Sequence, residues 1–287
     1  MYWSRADQCG PCQSRSRHRQ GFTDPTHSID GGNGTMICFE LLNDYSHICI
    51  HGFSEKSDGN FSFQPPRDPG SARSSWEKAS VKLGFDIKQV VRPGQVHGDR
   101  ILSARPEHAL VPVGESGILE GYDGTMTAQP GICLTGVFAD CVPVFLLDPV
   151  NKVISLVHSG WKGTVARIVV KAVRQMKRQY GSKTRDLVGV IGPCICREHY
   201  PVSGETAGLL RAVCGNQQDR FLKPAGQDAW HADLAGIVSW CMMDAGISET
   251  NIAISGLCTL CDQGRFFSHR GEGADTGRMA AFLALVS

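Results

Sequence analysis

Between residues 132 and 157 the chain carries three apolar runs with almost nothing between them. They are Ile132-Cys133-Leu134-Thr135-Gly136-Val137-Phe138, Val142-Pro143-Val144-Phe145-Leu146-Leu147 and Val153-Ile154-Ser155-Leu156-Val157. A strand with one wet face alternates apolar and polar residues, whereas near-continuous apolar runs belong to strands covered on both faces. Other layers must therefore lie above and below this sheet. Only Ala139-Asp140-Cys141 joins the first two runs, and an Asp-Pro turn separates the last two, so Cys141 and His158 fall at strand ends.

After Gly163-Thr164, apolar residues at 165, 169, 172, 173 and 176 alternate with Lys171, Arg174, Lys177 and Arg178, which predicts an amphipathic helix closed by Gly181. Residues 37–42, 48–52, 187–191 and 252–255 read as strands, and Trp76, Ala79, Val81 and Leu83 lie on a helix that stops at Gly84. Further helices are expected over residues 204–213, 231–245 and 276–285. Strands and helices alternate without a regular βαβ period, which predicts an α+β fold with mixed sheets. A chain of 287 residues fits one domain, taken as 36–287. Residues 1–35 are polar, end in Gly31-Gly32-Asn33-Gly34 and show no apolar periodicity, so they read as a disordered leader or a misassigned start.

Lys plus Arg number 29 against 28 for Asp plus Glu, which gives no net field to gather nucleic acid or an anionic membrane. No transmembrane-length apolar run or secretory signal appears. Twelve cysteines scattered through a chain with ample apolar content point to a reducing cytoplasm and not to a disulfide framework. Cys9-Gly10-Pro11-Cys12 has the spacing of a redox motif but lacks the preceding buried strand that such chemistry needs.

Three residues carry the chemistry: His97 in Gln95-Val96-His97-Gly98, Cys141 in Ala139-Asp140-Cys141-Val142-Pro143, and His158 in His158-Ser159-Gly160-Trp161-Lys162-Gly163. Each is followed closely by Gly or Pro, which lets a side chain at a strand end face a cleft. Two imidazoles and a thiolate meeting at a point would hold zinc with its fourth position open, the arrangement of a catalytic site. Copper would compete for the same ligands. Cys38, Cys49, Cys133, Cys214 and Cys241 read as core residues.

Asp140 could orient a ligand or the reacting water, although strand alternation points it away from Cys141. Lys162 and the amides of Gly163 and Thr164 fall where a helix start would favour phosphate. Phe266-Phe267-Ser268-His269-Arg270 and Thr276-Gly277-Arg278 supply guanidinium groups suited to phosphate or ribose hydroxyls. Cys258-Thr259-Leu260-Cys261 lacks a second paired motif apart from the distant Cys9 and Cys12, and reads as structural or packing.

These segments together resemble the laccase-domain family, also called multicopper polyphenol oxidase-like proteins, whose members are regarded as purine nucleoside phosphorylases. The resemblance runs from His51-Gly52-Phe53-Ser54 to the C-terminus and includes the three ligand motifs, Gly192-Pro193-Cys194-Ile195, Cys258-Thr259-Leu260-Cys261 and Phe266-Phe267-Ser268-His269-Arg270. It implies a four-layer α/β sandwich, zinc on His97, Cys141 and His158, and substrate contacts from segments that include His51, Lys162, Gly163, Arg270 and Arg278. It also implies phosphorolysis of adenosine and inosine to base and ribose 1-phosphate, with adenosine deamination and methylthioadenosine phosphorolysis as companion activities.

The chain departs from the family where Glu55-Lys56-Ser57-Asp58-Gly59 replaces the usual Thr-Arg and Gly-Gly turn, and where Ser159 and Lys162 replace Ala and Arg. Two other readings stand beside this one. Cys141 could be the nucleophile of a cysteine hydrolase, for example one editing cell-wall precursors, or the metal could only staple a binding protein. A copper polyphenol oxidase is disfavoured, because ten histidines without one His-x-His pair cannot build its several copper centres.

Overall fold

Residues 26–30, 35–63, 69–109 and 118–286 are described by the structure, a computed structural model. In chain order the first strands are Thr26–Asp30 (β1), Thr35–Phe39 (β2), Cys49–Phe53 (β3), Val90–Pro93 (β4), Ile101–Ser103 (β5), Ile118–Leu119 (β6), Gly124–Thr127 (β7) and Cys133–Phe138 (β8). Then come Val142–Asp148 (β9), Val153–Ser159 (β10), Val188–Ile191 (β11), Pro201–Ser203 (β12), Leu222–Gly226 (β13), Ala229–Ala232 (β14), Ile252–Ile254 (β15) and Met279–Leu285 (β16). One sheet runs β1-β2-β3-β16-β8-β4-β6, a second β15-β11-β9-β10-β7-β5, and a small third β12-β14-β13. Pairs β4–β6, β4–β8, β5–β7 and β11–β15 are parallel among antiparallel neighbours, so both large sheets are mixed, as the irregular alternation predicts.

Side-chain alternation stacks the layers. On β16, Met279, Ala281 and Leu283 join Phe145 and Leu147 of β9 and Ile154 and Leu156 of β10 in a core between the two large sheets. The intervening Ala280, Phe282 and Ala284 face the other way, onto Trp76, Ala79 and Leu83 of the Pro69–Leu83 helix. Across the second sheet, Val144, Leu146 and Val157 pack on Val169, Val173 and Met176 of the Ile168–Tyr180 helix and on Ile237 and Cys241 of the Leu234–Asp244 helix. The result is helix, sheet, sheet, helices: the four-layer sandwich of a single α+β domain. Phe61, Trp76 and Phe282 meet edge-on with ring centroids 5.3–5.7 Å apart, and each such pair adds about 0.5–1.5 kcal/mol beyond its burial.

Several sequence expectations shift. The segment expected as a helix over 276–285 is β16, a central strand whose seven residues are all buried. Burial on both faces erases the period that would separate strand from helix, so the helix propensity of Met, Ala and Leu misleads there. Part of the polar leader belongs to the fold: Thr26–Asp30 pairs antiparallel with β2 at the sheet edge, where the backbone ladder needs no apolar pattern. Residues 1–25 and 31–34, with the Cys9–Cys12 pair, lie outside the described residues.

The strand expected over 37–42 ends at Phe39, where a Glu40–Asn43 helical turn begins. Residues 231 and 232 of the expected 231–245 helix belong instead to β14, and the helix itself begins at Leu234. The amphipathic helix expected from residue 165 begins at Ile168, set off by Arg167 at φ +57° from a separate Trp161–Val165 helix, and Gly181, at φ +72°, closes it as expected. No helix among the described residues is long and apolar enough to cross a membrane.

Candidate metal centre

Two connections between the large sheets place the site. Ala139-Asp140-Cys141 carries the chain from β8 in the first sheet to β9 in the second, and the loop of residues 94–100 carries it from β4 to β5. Cys141 sits on the first connection and His97 on the second. His158 is at the end of β10, in register with Pro143 at the start of β9, so all three arrive at the same end of the sandwich.

The His97 loop is held in an unusual shape. Gln95 and His97 adopt φ of +55° and +60°, in the left-handed region that non-glycine residues rarely occupy. Two hydrogen bonds fix it: the Gln95 amide donates to Val137 O (2.7 Å) and accepts from Val137 N (2.8 Å), extending the end of β8 with a side chain. Asp140, at φ +87°, gives the other connection a similar kink.

Asp123, immediately before β7, organises the ligands and was not singled out from sequence. Its Oδ1 accepts from the His97 amide (2.8 Å) and lies 2.9 Å from His158 Nδ1, and its Oδ2 accepts from the Gly98 amide (2.7 Å). It is fully buried. Burial would raise its pKa, but these hydrogen bonds and the His158 charge hold the carboxyl below its usual range. With Nδ1 engaged, His158 presents Nε2 to the centre, as ligand histidines oriented by a carboxylate do.

Cys141 Sγ and His97 Nε2 are 3.8 Å apart, and one ligand atom from each of His97, Cys141 and His158 lies within 4.8 Å of the others. Tetrahedral zinc with Zn–S of about 2.3 Å and Zn–N of about 2.0–2.1 Å requires a sulfur–nitrogen edge of about 3.6 Å, so the donor set fits the ion. Among the described residues no further Cys, His, Asp or Glu joins this trio, and His97 is exposed, which leaves the centre an open side. Gly160 makes the approach possible: a Cβ there would stand 2.8 Å from the His97 ring and 3.3 Å from Cys141 Sγ.

Burial pushes the Cys141 thiol up, but the neighbouring His158 and His97 imidazoles outweigh it and bring it to about 6. Burial pushes His158 down, but the Cys141 thiolate and the Asp123 carboxylate raise it to about 9. Between these values the metal-free pair is thiolate and imidazolium and holds one proton, which a cation bound to both atoms must displace. Metal affinity is therefore expected to rise about tenfold per pH unit between pH 6.5 and 8.5, measured by chelator competition. A flat profile would contradict the ion pair.

The remaining sequence candidates divide. Asp140 is buried, with Oδ1 accepting from Thr259 Oγ1 (2.6 Å) and Ser268 Oγ (2.7 Å), and Oδ2 from the Arg270 amide (2.7 Å). It ties the C-terminal loop to the Cys141 connection. The Thr164 amide, expected to be free for an anion, donates to Gly160 O (2.8 Å). Gly163 serves close approach instead, since a Cβ there would lie 3.1 Å from Gly98 O. Lys162 Nζ sits 5.6 Å from the Trp161 ring centre, and the Arg270 guanidinium 5.3 Å from that of Tyr200, exposed. The Arg278 guanidinium donates to Thr276 O (2.7 Å) and Gly277 O (2.9 Å). His51 is buried against Phe39, its Nε2 accepting from the Phe39 amide (2.9 Å).

Residues 51–286 match the family described as Multi-copper polyphenol oxidoreductase laccase, and the chain belongs to that family. It is 35% identical over 167 residues to the Bacillus subtilis (strain 168) protein named Purine nucleoside phosphorylase YlmD, covering 58% of this chain and 60% of that one. The match thus leaves about two-fifths of that relative's length unspanned. It is 30% identical over 200 residues to Adenosine deaminase RL5 from an unknown prokaryotic organism, covering 69% of this chain and 76% of that one. The crystal structure of Bacillus licheniformis hypothetical protein YfiH superposes with a TM-score of 0.81 at 29% identity, covering 92% of this chain and 100% of that one.

Proposed function

We propose that this chain is a zinc-dependent purine nucleoside phosphorylase of the cytoplasm, acting on adenosine and inosine, with adenosine deaminase and methylthioadenosine phosphorylase activities beside it. The observation that carries this reading is the open trio of His97, Cys141 and His158 oriented by Asp123, in a chain whose relatives are named for purine nucleoside chemistry. The catalytic domain, read from sequence as 36–287, also takes in the Thr26–Asp30 strand, and the described cysteines, all unbridged, suit a reducing compartment.

Zinc held there would supply Lewis acidity and positive charge beside the reacting atoms, with copper a competitor for the same donors. The chain's own groups do the positioning. In phosphorolysis a phosphate oxygen bonds to ribose C1′ while the glycosidic bond breaks, its electron pair and a proton ending on the purine. Arg270, exposed on Tyr200 and tethered through its amide to Asp140 beside Cys141, is the cation we assign to phosphate, with Lys162, in the short helix that follows His158, as the second. Tyr200 is pushed up to about 12 by burial and by the Cys141 charge, so it stays a neutral hydroxyl. The family description invites copper oxidation, but the two Cys/His groups among the described residues contain only three histidines, too few for several copper centres.

The test is a nucleoside panel with and without phosphate. Metal-loaded protein should release base and ribose 1-phosphate in equal amounts from inosine and adenosine, only when phosphate is present. Loaded protein that releases no base overturns the reading.

One observation favours a second reading. Asp123, His158 and Cys141 stand in the order of an acid, base and nucleophile, with Cys141 near 6, as in a cysteine hydrolase. That reading requires activity on an amide to survive complete metal removal and to be lost on alkylation.

A further inference from the structure

Cys258 and Cys261, expected from sequence to serve a structural or packing role, have partners that no paired motif announces. Cys196 and His199 lie beside them, and one ligand atom from each of the four lies within 4.8 Å of the others. His199 Nδ1 is 3.5 Å from Cys196 Sγ, 3.7 Å from Cys258 Sγ and 3.4 Å from Cys261 Sγ, and Cys196 and Cys261 Sγ are 3.9 Å apart. A tetrahedral zinc ion with three sulfurs and one nitrogen requires edges of about 3.6 Å for S···N and about 3.8 Å for S···S. A disulfide, by contrast, needs about 2.05 Å.

The fold explains the convergence. β11 and β15 run parallel side by side, and the two segments that follow them stay together through a parallel bridge between Cys194 and Cys258. The Cys194 amide donates to Leu257 O and the Thr259 amide to Cys194 O, each at 3.2 Å. Beyond the bridge, Cys196-Arg197-Glu198-His199 and Cys258-Thr259-Leu260-Cys261 each place two donors three residues apart. The amides of Cys196 (3.3 Å) and Cys261 (3.4 Å) both point at Cys258 Sγ, as suits a thiolate ligand.

We infer that Cys196, His199, Cys258 and Cys261 form a second, structural metal site that takes one zinc ion with four protein ligands. Unlike the His97–Cys141–His158 trio it is closed, with no position left for substrate. It clamps the loop whose Thr259, Ser268 and Arg270 engage Asp140, and so braces the connection that carries Cys141.

The experiment is zinc counting by elemental mass spectrometry on the purified full-length chain. Wild type should hold two equivalents, Cys261→Ser one, and Cys141→Ala, which leaves this cluster untouched, also one. If Cys261→Ser fails to fold, Cys141→Ala alone decides: one retained equivalent, giving in the cobalt-substituted protein the intense charge-transfer absorption of several thiolates, supports the site. No metal retained by Cys141→Ala, an unchanged count in Cys261→Ser, or a disulfide among these cysteines in the intact mass overturns it. The count is independent of turnover, so a protein inactive on nucleosides that still holds this zinc would sink the functional reading and leave the site standing.

Discussion

Cys141→Ser is expected to lose the metal of the trio and, with it, nucleoside turnover, while the sandwich stays folded. The substitution is nearly isosteric at a position in a connection between sheets, so little core packing is disturbed. It removes the soft thiolate and leaves a hydroxyl that stays protonated at neutral pH. Loss of an outer-shell partner typically weakens metal binding 10–100-fold, and loss of a ligand should exceed about 100-fold. A catalytic metal supplies several kcal/mol of charge stabilisation, and each 1.36 kcal/mol is tenfold in rate, so kcat/KM should fall by about 10³ or more. Steady-state assay with circular dichroism as a folding control checks this. Turnover within tenfold of wild type would show that the trio is not the reacting centre.

Asp123→Asn is expected to weaken metal binding by about 10–100-fold and to cost a comparable amount of folding stability. The buried carboxylate satisfies three donors: the amides of His97 and Gly98 and Nδ1 of His158. A carboxamide has a single acceptor oxygen, so its NH2 group must face the Gly98 amide or the pair formed by the His97 amide and His158. Either choice opposes donor to donor in a dry place, at a cost of about 1–3 kcal/mol. The same change removes the negative charge that raises His158, so its pKa should fall from about 9. Chelator competition together with NMR titration of His158 separates these effects. A variant with wild-type affinity would mean that the Asp123–His158 contact does not orient the ligand.

The convergence of His97, Cys141 and His158 was legible because each ends an apolar run beside Gly or Pro, a local signal that survives without knowledge of the fold. The layering was legible for the same reason, since continuous apolar runs at β8, β9 and β10 demand cover on both faces. Asp123 was not, because its partners lie 26 and 35 residues away in sequence and an Asp before a short strand is unremarkable on its own. Cys196 and His199 escaped because their partners stand 59–65 residues further on, brought alongside by the parallel pairing of β11 with β15 and the Cys194–Cys258 bridge beyond it. A sequence motif does not say whether the surrounding backbone makes use of a polar group, as it does of His51, Arg278 and the Thr164 amide. In each case the fold supplies that use, through Phe39, through the carbonyls of Thr276 and Gly277, and through Gly160 O.

The proposed chemistry requires side chains from two sheet connections and one strand end to meet around a single ion that keeps one position for substrate. Anomalous diffraction at the zinc absorption edge, from crystals of the wild-type protein as purified, tests it most directly. A peak is expected about 2.0–2.3 Å from His97 Nε2, Cys141 Sγ and His158 Nε2, with no fourth protein atom in contact. No peak at that point, or one completed by another protein ligand, would contradict it.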